Sequence, residues 1–153
     1  MMDLYAAEKL ACQLFAEHLP TWTVYLNFSG ERNVFGKCAC EASTKRTEPP
    51  TCEIVLSKYL TFVNEESVVR NVLLHEIAHA LAGGEHEHDA VWEAEARKLG
   101  IDDPSPWCEE GVGLPRTKPL TDRELTNLSR YMDRELGRSG FLKKKKSLKS
   151  RKP

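Results

Sequence analysis

The sequence has no apolar run near the 18 residues that a membrane span requires, so no segment is expected to cross a bilayer. Its opening, MMDLYAAEKLACQLFAEHL, carries acidic residues and lacks a basic leader ahead of an apolar stretch, so no secretory signal is expected. Cysteines are few and unordered: the five, at 12, 38, 40, 52 and 108, are odd in number and irregularly spaced. That pattern argues against a disulfide framework, and reduced thiols in the cytosol are the expectation. Internal repeats are also missing. At 153 residues the chain suits one domain with a short appendage.

Charge is present but divided. The formal net charge is −1, yet residues 116–153 hold thirteen Lys/Arg and four Asp/Glu. Of the chain totals of 22 basic and 23 acidic residues, the other 115 positions therefore keep nine and nineteen. An acidic folded body with a basic tail follows.

Apolar spacing gives the elements. Leu4, Ala7, Ala11 and Leu14 recur at three and four and predict a helix over 3–19, closed by Pro20. The segments 22–29, 34–41 and 52–60 read as strands, with the polar stretch 41–51 as a loop. With no helix between them, these three strands are expected to form an antiparallel meander. A helix over 65–82, with Asn64 as its N-cap, has so little polar face that it should be buried. Gly83-Gly84 ends it, and a further helix is expected over 89–99, stopped by Gly100. The Pro- and Gly-rich 102–119 is an irregular connector. Thr121 and Glu124 then form a capping box for a last helix with Gly137 as its stop, and the lysine-rich end is expected to be disordered.

Four of the five histidines fall within fourteen positions, in LLHEIAHALAGGEHEHDAVW. His75 and His79 are four apart, about 400° of helical rotation, so both imidazoles project from one face and can reach one ion. Glu76 is placed to stand beside an open coordination position and accept a proton from water there. Two histidines and a glutamate on a buried helix would cost several kcal/mol without a partner, roughly the penalty for unmatched buried polar groups. A metal ion is therefore expected. Catalytic zinc takes three protein ligands, and the glycine break makes His88 and His86 the nearest third candidates, with Glu93 as the carboxylate alternative. His88 is favoured because it lies where the next helix begins, and that helix's positive end keeps the ring neutral. The longer signature H-E-x-x-H-x-x-G-x-x-H is excluded by Ala82 and Glu85.

The stretch "LLHEIAHAL…HDAVW" resembles the SprT-like metalloprotease family, whose relatives include the bacterial SprT proteins and the eukaryotic protease Spartan. His88 to Trp92 fits the family's H-x-x-x-[FW] element, whereas His86 does not. "GKCACE…CEIVLSKYL" is similar to its strand pair ending in I-x-L-S, so the resemblance covers about residues 3–100. It implies His75, His79 and His88 as zinc ligands, Glu76 as catalytic base, and peptide-bond hydrolysis, in Spartan directed at proteins crosslinked to DNA. Many relatives add a four-cysteine zinc ribbon. Only Cys108 lies in that region here, so neither that structural zinc nor the ribbon's DNA binding is expected.

Cys38 and Cys40 share one side of a strand and Cys52 opens the next; packed free thiols are the expectation, with a three-cysteine metal site as the alternative. Lys143, Lys144, Lys145 and Lys146 could grip phosphate backbones nonspecifically, and no aromatic lies between them to stack on bases. The expected architecture is an α+β domain over 1–104, a connector and helix over 105–140, and a basic tail over 141–153. The expected function is zinc-dependent proteolysis, one edge strand (52–57 is the candidate) aligning an extended substrate. Two rivals stand beside it. One is a metal-stabilised nucleic-acid-binding protein that cuts nothing. The other is a repressor-cleaving metallopeptidase, which Gly83 disfavours because a histidine usually stands there.

Overall fold

Asp3 opens the first helix, accepting the Tyr5 amide at 2.6 Å. This helix, α1 (Leu4–His18), buries Leu4, Ala7, Leu10, Ala11, Leu14 and Phe15 along one stripe. The computed structural model describes residues 2–31, 34–41, 48–101 and 121–139. After α1 come β1 (Thr23–Ser29), β2 (Gly36–Glu41) and β3 (Thr51–Ser57). Helices α2 (Lys58–Val63), α3 (Glu66–Ala82), α4 (Ala90–Lys98) and α5 (Asp122–Ser139) complete the described elements. The fold is α+β.

The sheet departs from the expected antiparallel meander. Its order is β1-β3-β2, with β3 in the centre. β3 runs parallel to β1, Leu26 facing Ile54, and antiparallel to β2, Cys40 facing Cys52. The expectation failed on one assumption, that a parallel pair needs a helix as its crossover. Here β2 carries the chain to the far edge, and β3 returns between the other two. The central place suits the sequence of β3, since Cys52, Ile54 and Leu56 are wholly buried. Consequently 52–57 is not an edge strand and cannot receive a further strand. Among the described residues the edges are β1 and β2.

Where a strand was expected to reach residue 60, Ser57 ends it by accepting the Leu60 amide at 3.2 Å and starting α2. The I-x-L-S segment is thus a strand ending in a helix cap. Asn64 is likewise not the N-cap of the long helix. It closes α2, donating its amide to the Leu60 carbonyl at 2.7 Å, and α3 begins after Glu65 with no side-chain cap.

α3 is buried almost all round: Val69, Val72, Leu73, Leu74, Ile77, Ala78 and Ala80 are all inaccessible or nearly so. It packs against β2, α1 and α4. Each of the valine, leucine and isoleucine side chains contributes about 1.5–3 kcal/mol by leaving water, which fixes the helix axis and any polar group it carries. α4 covers the other side of α3 through Trp92 and Ala96, which pack on Ala78. Gly100, at φ +94°, closes α4, with the Ile101 amide reaching back to the Ala96 carbonyl at 3.1 Å.

The chain divides into one unit within Met1–Thr117 and another within Lys118–Pro153. In the second unit, α5 starts with the expected capping box: Thr121 Oγ1 accepts the Glu124 amide at 3.2 Å and Glu124 accepts the Thr121 amide at 3.3 Å. It runs past Gly137 to Ser139 rather than stopping there. The connector over 102–119 and the basic tail lie outside the described residues. Among the described residues, no helix is long and apolar enough to cross a membrane.

Candidate metal centre

His75 and His79 lie one turn apart on α3, the first buried and the second half-buried. Beyond them Gly83, at φ +99°, turns the chain out of the helix, and the His86 amide closes a turn onto the Gly83 carbonyl at 3.1 Å. The next two residues bring His88 back over α3. His88 has φ +50°, a left-handed conformation uncommon outside glycine. It is held there from the following side, where Asp89 Oδ1 accepts the Val91 and Trp92 amides at 3.0 and 3.1 Å and anchors α4. Strained backbone of this kind costs about 1–3 kcal/mol and persists where surrounding structure enforces it.

The three Nε2 atoms converge. His75 to His79 is 3.2 Å, His79 to His88 is 3.1 Å, and His88 to His75 is 3.0 Å. Such a triangle cannot satisfy itself. Each imidazole nitrogen is either a donor or an acceptor in the ring plane, so three together leave at least one pair of like groups facing. A shared cation resolves this. The nitrogens sit about 1.8 Å from their common centre, inside the ~2.0–2.1 Å of a zinc–nitrogen bond, so His75, His79 and His88 would together hold one such ion. Burial first, and then His79 and His88, lower the His75 pKa to about 3, so its ring is neutral as a ligand must be.

Trp92 forms the floor. Its ring lies 4.6 Å from His75, 5.3 Å from His79 and 4.6 Å from His88, and its indole N–H donates to the His75 carbonyl at 3.4 Å. Glu76 is fully buried beside the histidines. β2 approaches it so closely that a Cβ on Gly36 would lie 2.9 Å from Glu76 Oε1 and 2.9 Å from Val72 Cγ1. Only glycine admits that approach. Among the residues weighed from the sequence, the structure brings together His75, His79 and His88 with Glu76 alongside. It holds the other two elsewhere: His86 Nδ1 pairs with Asp89 at 2.6 Å, which raises the pKa of His86, and Glu93 pairs with Arg97 at 2.9 Å on the surface.

Sequence reasoning missed Gly36 and the part Asp89 plays in carrying His88. A glycine inside a strand was the available signal for the first. An Asp at a helix start was the signal for the second.

A second cluster lies close by. The Sγ atoms of Cys38, Cys40 and Cys52 are 3.1–3.3 Å apart, and Cys38, Cys40 and His79 line one open cleft of about 190 Å³. Hydrogen bonding with Cys38 and Cys52, with His79 nearby, holds the Cys40 pKa low. Hydrogen bonding to Cys40 and Cys52, together with burial, pushes Cys38 up.

An H-E-x-x-H helix, a third histidine returned by a glycine break, and a buried glutamate define a domain of the H-E-x-x-H class able to hold a metal ion. The particular family follows from the sequence profile of the SprT-like family, which matches residues 6–106. The chain belongs to the SprT-like family. No curated protein and no solved structure matches it.

Proposed function

We propose that this chain is a zinc-dependent metallopeptidase that hydrolyses peptide bonds in protein substrates. The observation that carries this reading is the convergence of three Nε2 atoms within 3.2 Å beside a wholly buried glutamate. Three neutral nitrogens suit zinc and leave a fourth position for chemistry. A zinc ion there supplies Lewis acidity, acidifying water and polarising a carbonyl oxygen. The chain's own residues do the rest.

Glu76 takes a proton from the attacking water at a carboxylate oxygen and passes it to the departing amine. The water oxygen adds to the carbonyl carbon and opens the C=O π bond; the C–N bond then breaks as that double bond re-forms and the protonated amine leaves. Burial on α3, under the backbone of Gly36, fixes the direction of that carboxylate. Trp92 packs against all three imidazoles and limits their rotation. The edge of β2 that is unpaired among the described residues, and whose Gly36 end reaches Glu76, takes an extended substrate by strand addition; β3 is already paired on both sides. Lys143, Lys144, Lys145 and Lys146 bring the domain to phosphate backbones, so DNA-bound proteins are the substrates we propose.

Glu76→Gln tests the mechanism. It should retain zinc and lose casein cleavage by at least about 10²-fold, the lower range for removing a general base. Cleavage at the wild-type rate would overturn the assignment. Chelation of the wild type should abolish cleavage. If chelation lowers only the melting temperature of a chain that never cleaves, the ion is structural and the protein is not a peptidase.

A further inference from the structure

We propose that Cys38, Cys40 and Cys52 form a second metal site, distinct from the three histidines, that takes a thiophilic divalent cation with zinc as the preferred ion. The geometry begins with strand register. Cys38 and Cys40, two apart on β2, project from one face of the sheet, and Cys52 of β3 stands directly opposite Cys40. All three sulfurs meet: Cys38 to Cys40 is 3.3 Å, Cys38 to Cys52 is 3.3 Å, and Cys40 to Cys52 is 3.1 Å. They lie about 1.9 Å from their common centre, inside a zinc–sulfur bond of ~2.3 Å, so a single ion reaches all three with the backbone where it is.

A disulfide accounts for the arrangement less well. It would join two sulfurs and leave the third outside, whereas the three separations here are nearly equal. Ordinary core packing of thiols gives no reason for a third sulfur to join the pair. Soft thiolates select zinc or copper(I) over hard cations. Cys52 is sealed inside while Cys38 and Cys40 line the cleft with His79, so the fourth corner of a tetrahedral ion opens on the cleft side.

Charge supports the pairing of sites. Three thiolates around a divalent ion carry a net −1. Three neutral imidazoles around another divalent ion carry a net +2. The two partly offset each other in a region where isolated charge is costly. The cysteine ion would tie β2 to β3, holding Gly36 in place over Glu76.

Loading the reduced full-length chain with cobalt(II) tests this without assuming catalysis. Two equivalents should bind per chain, and the near-ultraviolet thiolate-to-cobalt charge-transfer band should appear. His75→Ala should lower the stoichiometry from two to one while keeping the band. Replacing all three cysteines by serine should also lower it to one, but should abolish the band. If the serine variants do not fold, the wild-type and His75→Ala spectra decide. One equivalent with no thiolate band would overturn the proposal. So would a disulfide between two of these cysteines in protein purified without oxidant. Loss of casein cleavage in Glu76→Gln with the band intact separates this site from the catalytic reading.

Discussion

The two convergent clusters of this domain rest on different scaffolds. The histidines are gathered by one helix and the loop that follows it, within fourteen residues of chain. The cysteines are gathered by two strands, and the contact between Cys40 and Cys52 depends on a sheet register that no local rule sets. Both reach three ligand atoms within 3.3 Å of one another. They differ in what surrounds them. Trp92 and Glu76 pack against the histidines, one an aromatic floor and the other a buried carboxylate. Cys38 and Cys40 line an open cleft that His79 shares, and Cys52 is buried behind them. A helix-borne site offers chemistry beside the ion; a strand-borne site offers cross-linking. The difference teaches that an equal capacity to bind a cation does not imply an equal role.

The sharpest way to break the comparison is His75→Ala. It removes the most buried of the three imidazoles and should abolish peptide cleavage, while the cysteine cluster keeps its metal; activity and metal stoichiometry measured together check this. Next in size is Gly36→Ala, at the point where β2 meets Glu76. The new methyl would stand 2.9 Å from both Glu76 Oε1 and Val72 Cγ1, so the carboxylate or the strand must shift. A misplaced base costs on the order of 10²-fold in rate even when its chemistry is intact. Metal content should stay at the wild-type value. If Gly36→Ala cleaves casein normally, β2 does not position Glu76.

The same contrast explains what was legible in the sequence. His75, Glu76 and His79 could be seen because helical spacing is local and regular. His88 could be ranked above His86 because a helix start fixes the surroundings of the residue before it. The closeness of Cys52 to Cys38 and Cys40 was left open, since pairing between strands is set by the whole sheet. The error in strand direction has the same origin: the central place of β3 depends on burial of Ile54 and Leu56 in a core that α1 and α3 help to build. Ser57 and Asn64 were misread for a simpler reason. Each can cap a helix or sit in another element, and the short α2 between them has no periodicity to reveal it.

Acid should weaken the folded protein through His75. The His75 pKa, lowered to about 3 by burial and by His79 and His88, lies below the 6.5 of a free histidine. Between those values the unfolded chain binds a proton that the folded chain does not, so acidification favours unfolding. Stripped protein should therefore lose stability as the pH falls from about 6.5 towards 3, by at most about 1.4 kcal/mol per pH unit from this one group. Protons compete with the ion for the His75 nitrogen only as the pH nears about 3, so this ligand should leave the melting-temperature gap between loaded and stripped protein unchanged down to that point and close it below. Urea denaturation at several pH values checks the first statement and thermal melts the second. A gap that widens on acidification would place the ion elsewhere.

The smallest effect is expected at Glu93, and its smallness is informative. Glu93 lies one turn into α4, the helix that carries Trp92, and a carboxylate there is a reasonable third ligand by spacing alone. In the fold it turns outward and forms an exposed pair with Arg97 at 2.9 Å. Exposed pairs of this kind contribute about 0.3–0.5 kcal/mol, because water screens the charges and two long side chains must be ordered. Glu93→Gln should therefore change stability by no more than about that amount and leave cleavage and zinc content at wild-type values. His88→Gln, by contrast, should reduce zinc content sharply, because it removes one corner of the nitrogen triangle. Metal analysis of the two variants side by side assigns the third ligand: a fall in zinc in the Glu93 variant, with the His88 variant fully loaded, would make the Glu93 carboxylate, in the first turn of α4, the third ligand in place of His88.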